Sequence, residues 1–212
     1  MMKREVARRV FAKELNNSTH VIRSGGEKAP VYLLTPLGLR CNRVFVVGAL
    51  LEKEETKPES GIWRIRVSDP TGSFVGYIGK FQPEALEMLL DIDYPSIVSL
   101  TAKVKVLEGI KKKFVILRPE MINTADPDVR DRWIIEAAKC TIERIKDVEL
   151  GKTEDAKIAK EIYKTDLEDY KRTVKDVLMK LKEEFELLEE VEEEELELEI
   201  EEEEFDIKDL FE

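Results

Sequence analysis

Between residues 44 and 119 the sequence holds five strand-like runs, three of them alternating apolar and polar side chains and that at 44–52 strongly apolar, with one helix-spaced run among them. Successive side chains of a strand point to opposite faces, so period-two alternation marks strands with one buried side. In "WRIRVS" Trp63, Ile65 and Val67 share one face, while Arg64, Arg66 and Ser68 share the other. In "SIVSLTAKVKV" Val98, Leu100, Ala102, Val104 and Val106 oppose Ser99, Thr101, Lys103 and Lys105. The runs at 44–52, 62–69, 73–79, 96–106 and from 114 onward read as strands, and "PTG" at 70–72 suits a tight turn. The helix-spaced run, "PEALEMLLDI", opens on Pro83 at a first helical position and repeats leucine at 86, 89 and 90.

Three strands, a helix and two strands is the order of an OB-fold, a small five-stranded barrel whose second and third strands and adjoining loops bind oligonucleotides or oligosaccharides. The expected fold is therefore a mainly β OB-fold barrel, with its helix between strands 3 and 4, followed by α-helices and an acidic tail. The expected divisions are a basic N-terminal arm at 1–30, the barrel domain at 31–124, an assembly helix at 125–150, a long amphipathic helix at 151–189 and the acidic tail at 190–212. A further short strand is read at 31–34. In the helix after Asp126, Ile134, Ala137, Thr141, Ile145 and Val148 form one stripe, flanked by Trp133 and Cys140. In the next helix Tyr163, Leu167, Tyr170, Val174, Val177 and Leu181 form a seam that wants another helix. Residues 186–212 hold 16 acids and one lysine, a composition expected to be disordered, though it ends on the apolar "FDIKDLF".

Net charge is −11, unevenly placed: residues 1–124 balance at +6 and residues 125–212 at −17. A basic domain with an acidic tail suits a polyanion binder. Outward Arg64, Arg66, Lys103 and Lys105 fall on one side of the barrel, with Lys80 and the run Lys111, Lys112 and Lys113 at its rims. Phe81 and Phe114 stand directly beside those cations. Cations neutralise phosphates and rings stack on bases, so this pattern fits single-stranded nucleic acid, with core packing as the competing role for each ring. Trp63 is assigned to the core. Phe74 and Tyr77 stay open, because neighbouring glycines obscure their parity.

Other classes fit less well. The single histidine, His20, stands apart from any nucleophile motif, phosphate loop or cysteine pair, so no enzyme, cofactor or metal is expected. Cys41 and Cys140 lie far apart and read as reduced, buried thiols. No apolar run has a membrane helix's length and no secretory signal is read, which places the chain in the cytoplasm, near the nucleoid if it binds DNA.

The segments "TPLGLRCNRVFVVGALLE", "WRIRVSDPTGSFVGYIG" and "VSLTAKVKVLEGIKKKFVILRPEMI", followed at once by a helix, resemble the archaeal replication protein A family, in its middle-subunit-like and associated OB proteins. The Glu- and Lys-rich composition, with one glutamine, also resembles that of proteins from very hot environments. The resemblance spans about residues 30–148. It implies a non-catalytic single-stranded DNA-binding subunit of an RPA-like complex acting in replication, repair and recombination. By position it implies DNA contacts at Arg64, Arg66 and Phe114, whereas the family's late strand-3 aromatic falls on Gly79 and Lys80, with Phe81 next to them. It further implies assembly with other subunits through Trp133, Ile134, Ala137, Thr141 and Ile145. The acidic tail is expected to recruit replication or repair partners, or to compete with DNA for the barrel. The alternative is a structural or RNA- or tRNA-binding OB-fold assembly factor.

Overall fold

The computed structural model describes residues 5–23, 31–109 and 113–209, with side chains through 188. In chain order the elements are α1 (Ala12–Asn16), β1 (His20–Arg23), β2 (Val31–Leu34), β3 (Arg40–Cys41), β4 (Arg43–Glu55), β5 (Trp63–Asp69) and β6 (Gly72–Ile78). They continue as α2 (Pro83–Asp91), β7 (Ser96–Glu108), β8 (Lys113–Thr124), α3 (Pro127–Leu150), α4 (Glu154–Tyr163) and α5 (Leu167–Asp209). Residues 1–174 form one unit and residues 175–212, reached along α5, a second.

Strands β4 to β8 close into a barrel in the order β4-β5-β6-β8-β7, with α2 between β6 and β7, as the alternation predicts. All pairs are antiparallel except β6 with β8, which run parallel through Gly76 and Leu117. That ring order is the OB topology. Its interior takes the apolar parity of each strand: Ile65, Val67, Phe74, Ile78, Val98, Leu100 and Leu117 are buried together. Trp63 packs against this core as expected. Phe74 is a core residue, which fixes the parity of β6 and turns Tyr77 outward. Gly76 sits where β6 meets β8, and a Cβ there would stand 3.0 Å from Ile65 Cγ1. Gly48 allows a closer approach, because its Cβ would meet Ser68 O at 2.3 Å.

The described part of the expected arm, residues 5–23, packs on the barrel and its neighbours. Val10, Phe11, Ala12 and Leu15 are buried, and Arg8 exchanges backbone hydrogen bonds of 2.9 Å with Arg43 and Phe45. Asp69 anchors the segment from below: its Oδ2 accepts from Ala12 N at 2.7 Å, while Oδ1 accepts from the Thr71 N–H and hydroxyl and from Gly72 N. A short sheet of order β1-β2-β3 follows, so the predicted strand at 31–34 acquires two partners.

Helix α3 covers its own stripe, which corrects the expectation of an assembly surface. Trp133 packs edge-on against Phe11, centroids 5.7 Å apart, and its Nε1 donates to Phe45 O at 2.9 Å. Ile134, Ala137, Thr141 and Ile145 are buried too, Ile145 against Leu37 and Tyr170. The buried N-terminal segment supplies part of this cover. A buried ion pair fastens the same elements: Arg144 Nη2 lies 2.7 Å from Glu14 Oε2, and Thr35 Oγ1 donates to Glu14 Oε1 at 2.7 Å.

The single helix expected over 151–189 is two helices. Lys164 takes the left-handed conformation at φ 48°, and Asp166 Oδ1 accepts from Asp169 N to start α5. Tyr163 explains the stop, since its hydroxyl donates to Leu34 O at 2.6 Å and accepts from the N–H groups of Thr19 and His20. Helix α5 then continues through Asp209, into the stretch expected to be disordered, as the helix propensity of Glu and Leu favours. Cys41 is buried, which pushes its thiol up to about 12, while Cys140 is partly exposed.

Candidate nucleic-acid interface

The outward parities of β5, β6, β8 and β7 lie side by side around the barrel. Across this face Arg64 pairs with Tyr77, Lys105 with Ile116 and Lys103 with Arg118. On the far side of β5, strand β4 extends to Glu55 and sets Glu54 opposite Arg64 and Glu52 opposite Arg66. These carboxylates engage both arginines. Arg64 Nη1 lies 2.9 Å from Glu54 Oε1 and 3.1 Å from Glu52 Oε2, while Arg66 Nη2 lies 2.6 Å from Glu52 Oε1. The hydrogen bond from Arg66, helped by the charges of Arg66 and Arg64, holds the Glu52 carboxyl below the usual range. Glu54, and then Glu52, push the Arg64 guanidinium up in turn. The two arginines are therefore already neutralised within the sheet.

Lys103 is also near an acid, with Nζ 3.9 Å from Glu120, which binds Arg43 Nε at 2.5 Å. Lys80, Lys105 and Arg118 differ: among the described residues none of them forms an ion pair. All three line one cleft of about 360 Å³ at the end of β6. Its walls are Ile62 from the β4–β5 loop, Tyr77 and Ile78 from β6, Phe81 from the following turn, and Ile116 from β8. Gln82 fixes that turn, its N–H donating to Gly79 O at 2.8 Å. Phe81 is 77% exposed, and Lys80 Nζ lies 5.5 Å from its ring centroid. Burial does not account for that ring.

Of the residues expected at the site, Lys80, Phe81 and Lys105 come together here, while Arg64 adjoins through Tyr77. Phe114 is 47% exposed and precedes Ile116 and Arg118 on the same parity of β8. Lys112 lies outside the described residues. Ile62 and Arg118 are not singled out from sequence, where Tyr77 stays open between face and core. For Arg118 the signal is the i, i+2, i+4 series Phe114, Ile116, Arg118 in "FVILR". An apolar cleft with one exposed ring, Phe81, a half-buried one, Tyr77, and three cations outside any described ion pair can stack a flat heterocycle and hold an adjoining phosphate.

No protein-family profile and no curated protein matches the sequence. Among solved structures, the chain is similar to one from a replication protein A heterotrimer bound to single-stranded DNA, at 12% identity and TM-score 0.47, covering 66% of this chain and 98% of that one. It is also similar to an OBody bound to hen egg-white lysozyme, at 18% identity and TM-score 0.35, covering 42% of this chain and 98% of that one. A third similarity is to the mitochondrial single-stranded DNA-binding protein Rim1 of S. cerevisiae, at 16% identity and TM-score 0.32, covering 40% of this chain and 94% of that one.

Proposed function

We propose that this chain is a non-catalytic, sequence-tolerant single-stranded DNA-binding OB protein whose site is the cleft of Tyr77, Lys80, Phe81, Lys105 and Arg118. The observation that carries this reading is the coincidence of an exposed aromatic ring, Phe81, with cations that no described carboxylate neutralises. A solvated surface charge needs no ring beside it, and a core ring is not left 77% exposed. Rings stack on unpaired bases and not on the edges of an intact duplex, which is why the reading specifies single strands.

Service in an RPA-like complex during replication, repair or recombination is compatible with this site. It has to use a surface other than the α3 stripe, which is buried inside the chain. The test is fluorescence anisotropy with labelled oligo(dT) and a matched duplex over a salt series. Log affinity for oligo(dT) is expected to fall linearly with log salt, by about 0.7 per phosphate neutralised, and to exceed that for the duplex. Equal affinity for duplex, or binding indifferent to salt, overturns the reading. Matched RNA in the same assay decides the rival RNA-binding assignment, because only contacts to the 2′-OH tell the two apart.

A further inference from the structure

A second, larger groove of about 850 Å³ runs along the other flank of β7, between the barrel and the β1–β2 sheet. Its sheet side carries Arg23 and Tyr32, and its barrel side carries Lys103, Lys105 and Lys113. Among the described residues that line it, Glu108 is the one carboxylate, 4.0 Å from Lys113. The hydrogen bond from Val104 N to Asn42 O, 2.9 Å, ties the sheet's exit to β7 and so fixes the angle between the two walls. Lys105 lines both this groove and the apolar cleft.

Resting on the single-stranded DNA reading of the cleft, we propose that the strand continues from the cleft over Lys105 into this groove, where Arg23, Lys103 and Lys113 hold its phosphates. Lys103 and Lys105 point the same way from β7 at a Cα separation of ~7 Å, an interval close to the phosphate repeat of an extended strand. The division of chemistry follows from the walls. The cleft has rings and unpaired cations and takes bases, while the groove is richer in cations than in exposed rings and takes backbone. The β1–β2 sheet, which lies outside the barrel, thereby becomes part of the binding surface and lengthens the footprint.

Three proteins are compared by anisotropy on oligo(dT) of increasing length: the wild type, a groove variant with Arg23→Ala and Lys103→Ala, and a cleft variant with Tyr77→Ala and Phe81→Ala. Wild-type affinity is expected to go on rising after the strand is long enough to fill the cleft. The groove variant is expected to equal the wild type on the shortest strands that bind and to fall behind on longer ones, its salt slope there smaller by about 1.4 for two lost phosphate contacts. Charge-retaining Arg23→Lys with Lys103→Arg is expected to restore the slope, which a folding defect would not allow. A groove variant that matches the wild type at every length overturns the path and leaves the cleft reading standing, and so does a loss equal at all lengths. A cleft variant that binds every length as the wild type does overturns the functional reading and the path with it.

Discussion

Glu52 is the residue on which the strength of the basic face turns, because its two oxygens answer both Arg64 and Arg66. A carboxyl held low contributes stability above its unfolded pKa and loses it as pH falls through the folded value, so this contribution fades only on the acid side. The same protonation frees the Arg66 guanidinium, while Arg64 keeps Glu54 at 2.9 Å. Glu52→Gln is therefore expected to tighten oligo(dT) binding at neutral pH and to steepen the salt slope by about 0.7, as one more cation reaches a phosphate. An unchanged slope would mean that Arg66 lies off the path. The rings divide by burial. Phe81→Ala is expected to weaken binding by about 1–3 kcal/mol with an unaltered melting temperature. Phe74→Ala, inside the barrel, should instead cost about 3–5 kcal/mol of stability. A fall in melting temperature for Phe81→Ala would show that its ring packs and does not stack.

At the level of elements, the N-terminal segment and α3 stand or fall together. Glu14 is 1% exposed and has Arg144 and Thr35 as its partners. Arg144→Ala leaves that carboxylate buried and unpaired, a loss of about 3–5 kcal/mol measurable by denaturant titration. If the stability change is small, water reaches Glu14. Ile134→Asp, a change that would only release partners from an exposed stripe, is expected to unfold the domain by circular dichroism, since it buries a charge beside Trp133 and Ala137. A folded, stable Ile134→Asp protein would argue against the packing of α3 on the barrel. These elements also mark where sequence reading succeeds. The barrel was legible because β5, β6 and β7 each bury one parity, and a period of two survives in any sequence that does so, while β4, buried on both sides at Val46 and Val47, reads as a continuous apolar run. The segment at 5–19 was not, because Val10, Phe11, Ala12 and Leu15 are spread among charges with no regular period. The stop of α4 was written in "KTDLED", where Asp166 caps α5, but the heptad spacing ran across it. The partners of Arg64 and Arg66 were missed for a simpler reason. "ALLEKEE" reads as the end of a strand, and only pairing with β5 carries β4 on to Glu55.

Across the whole molecule, charge is segregated along the chain, and that segregation predicts how the acidic end affects the basic one. Residues 190–212 carry 14 acids against one lysine, so removing them takes the net charge from −11 to +2. A polyanion tethered to a DNA-binding domain competes with DNA at a high effective concentration, without needing a fixed docking geometry. It also repels the strand from the molecule as a whole. Both effects are electrostatic and decay within a Debye length, about 10 Å at 0.1 M salt. Deletion of 190–212 is therefore expected to raise oligo(dT) affinity several-fold at low salt, with the gain vanishing as salt rises. The apolar end separates a second role from this one. Phe205, Ile207, Leu210 and Phe211 are unnecessary for repulsion but suited to seating in a partner's groove. Replacing those four by serine should leave the affinity for oligo(dT) as it was at every salt concentration. Full deletion that leaves low-salt affinity unchanged removes the competition. If the serine variant alone reproduces the gain, the tail acts through apolar contact with the domain and not through its charge.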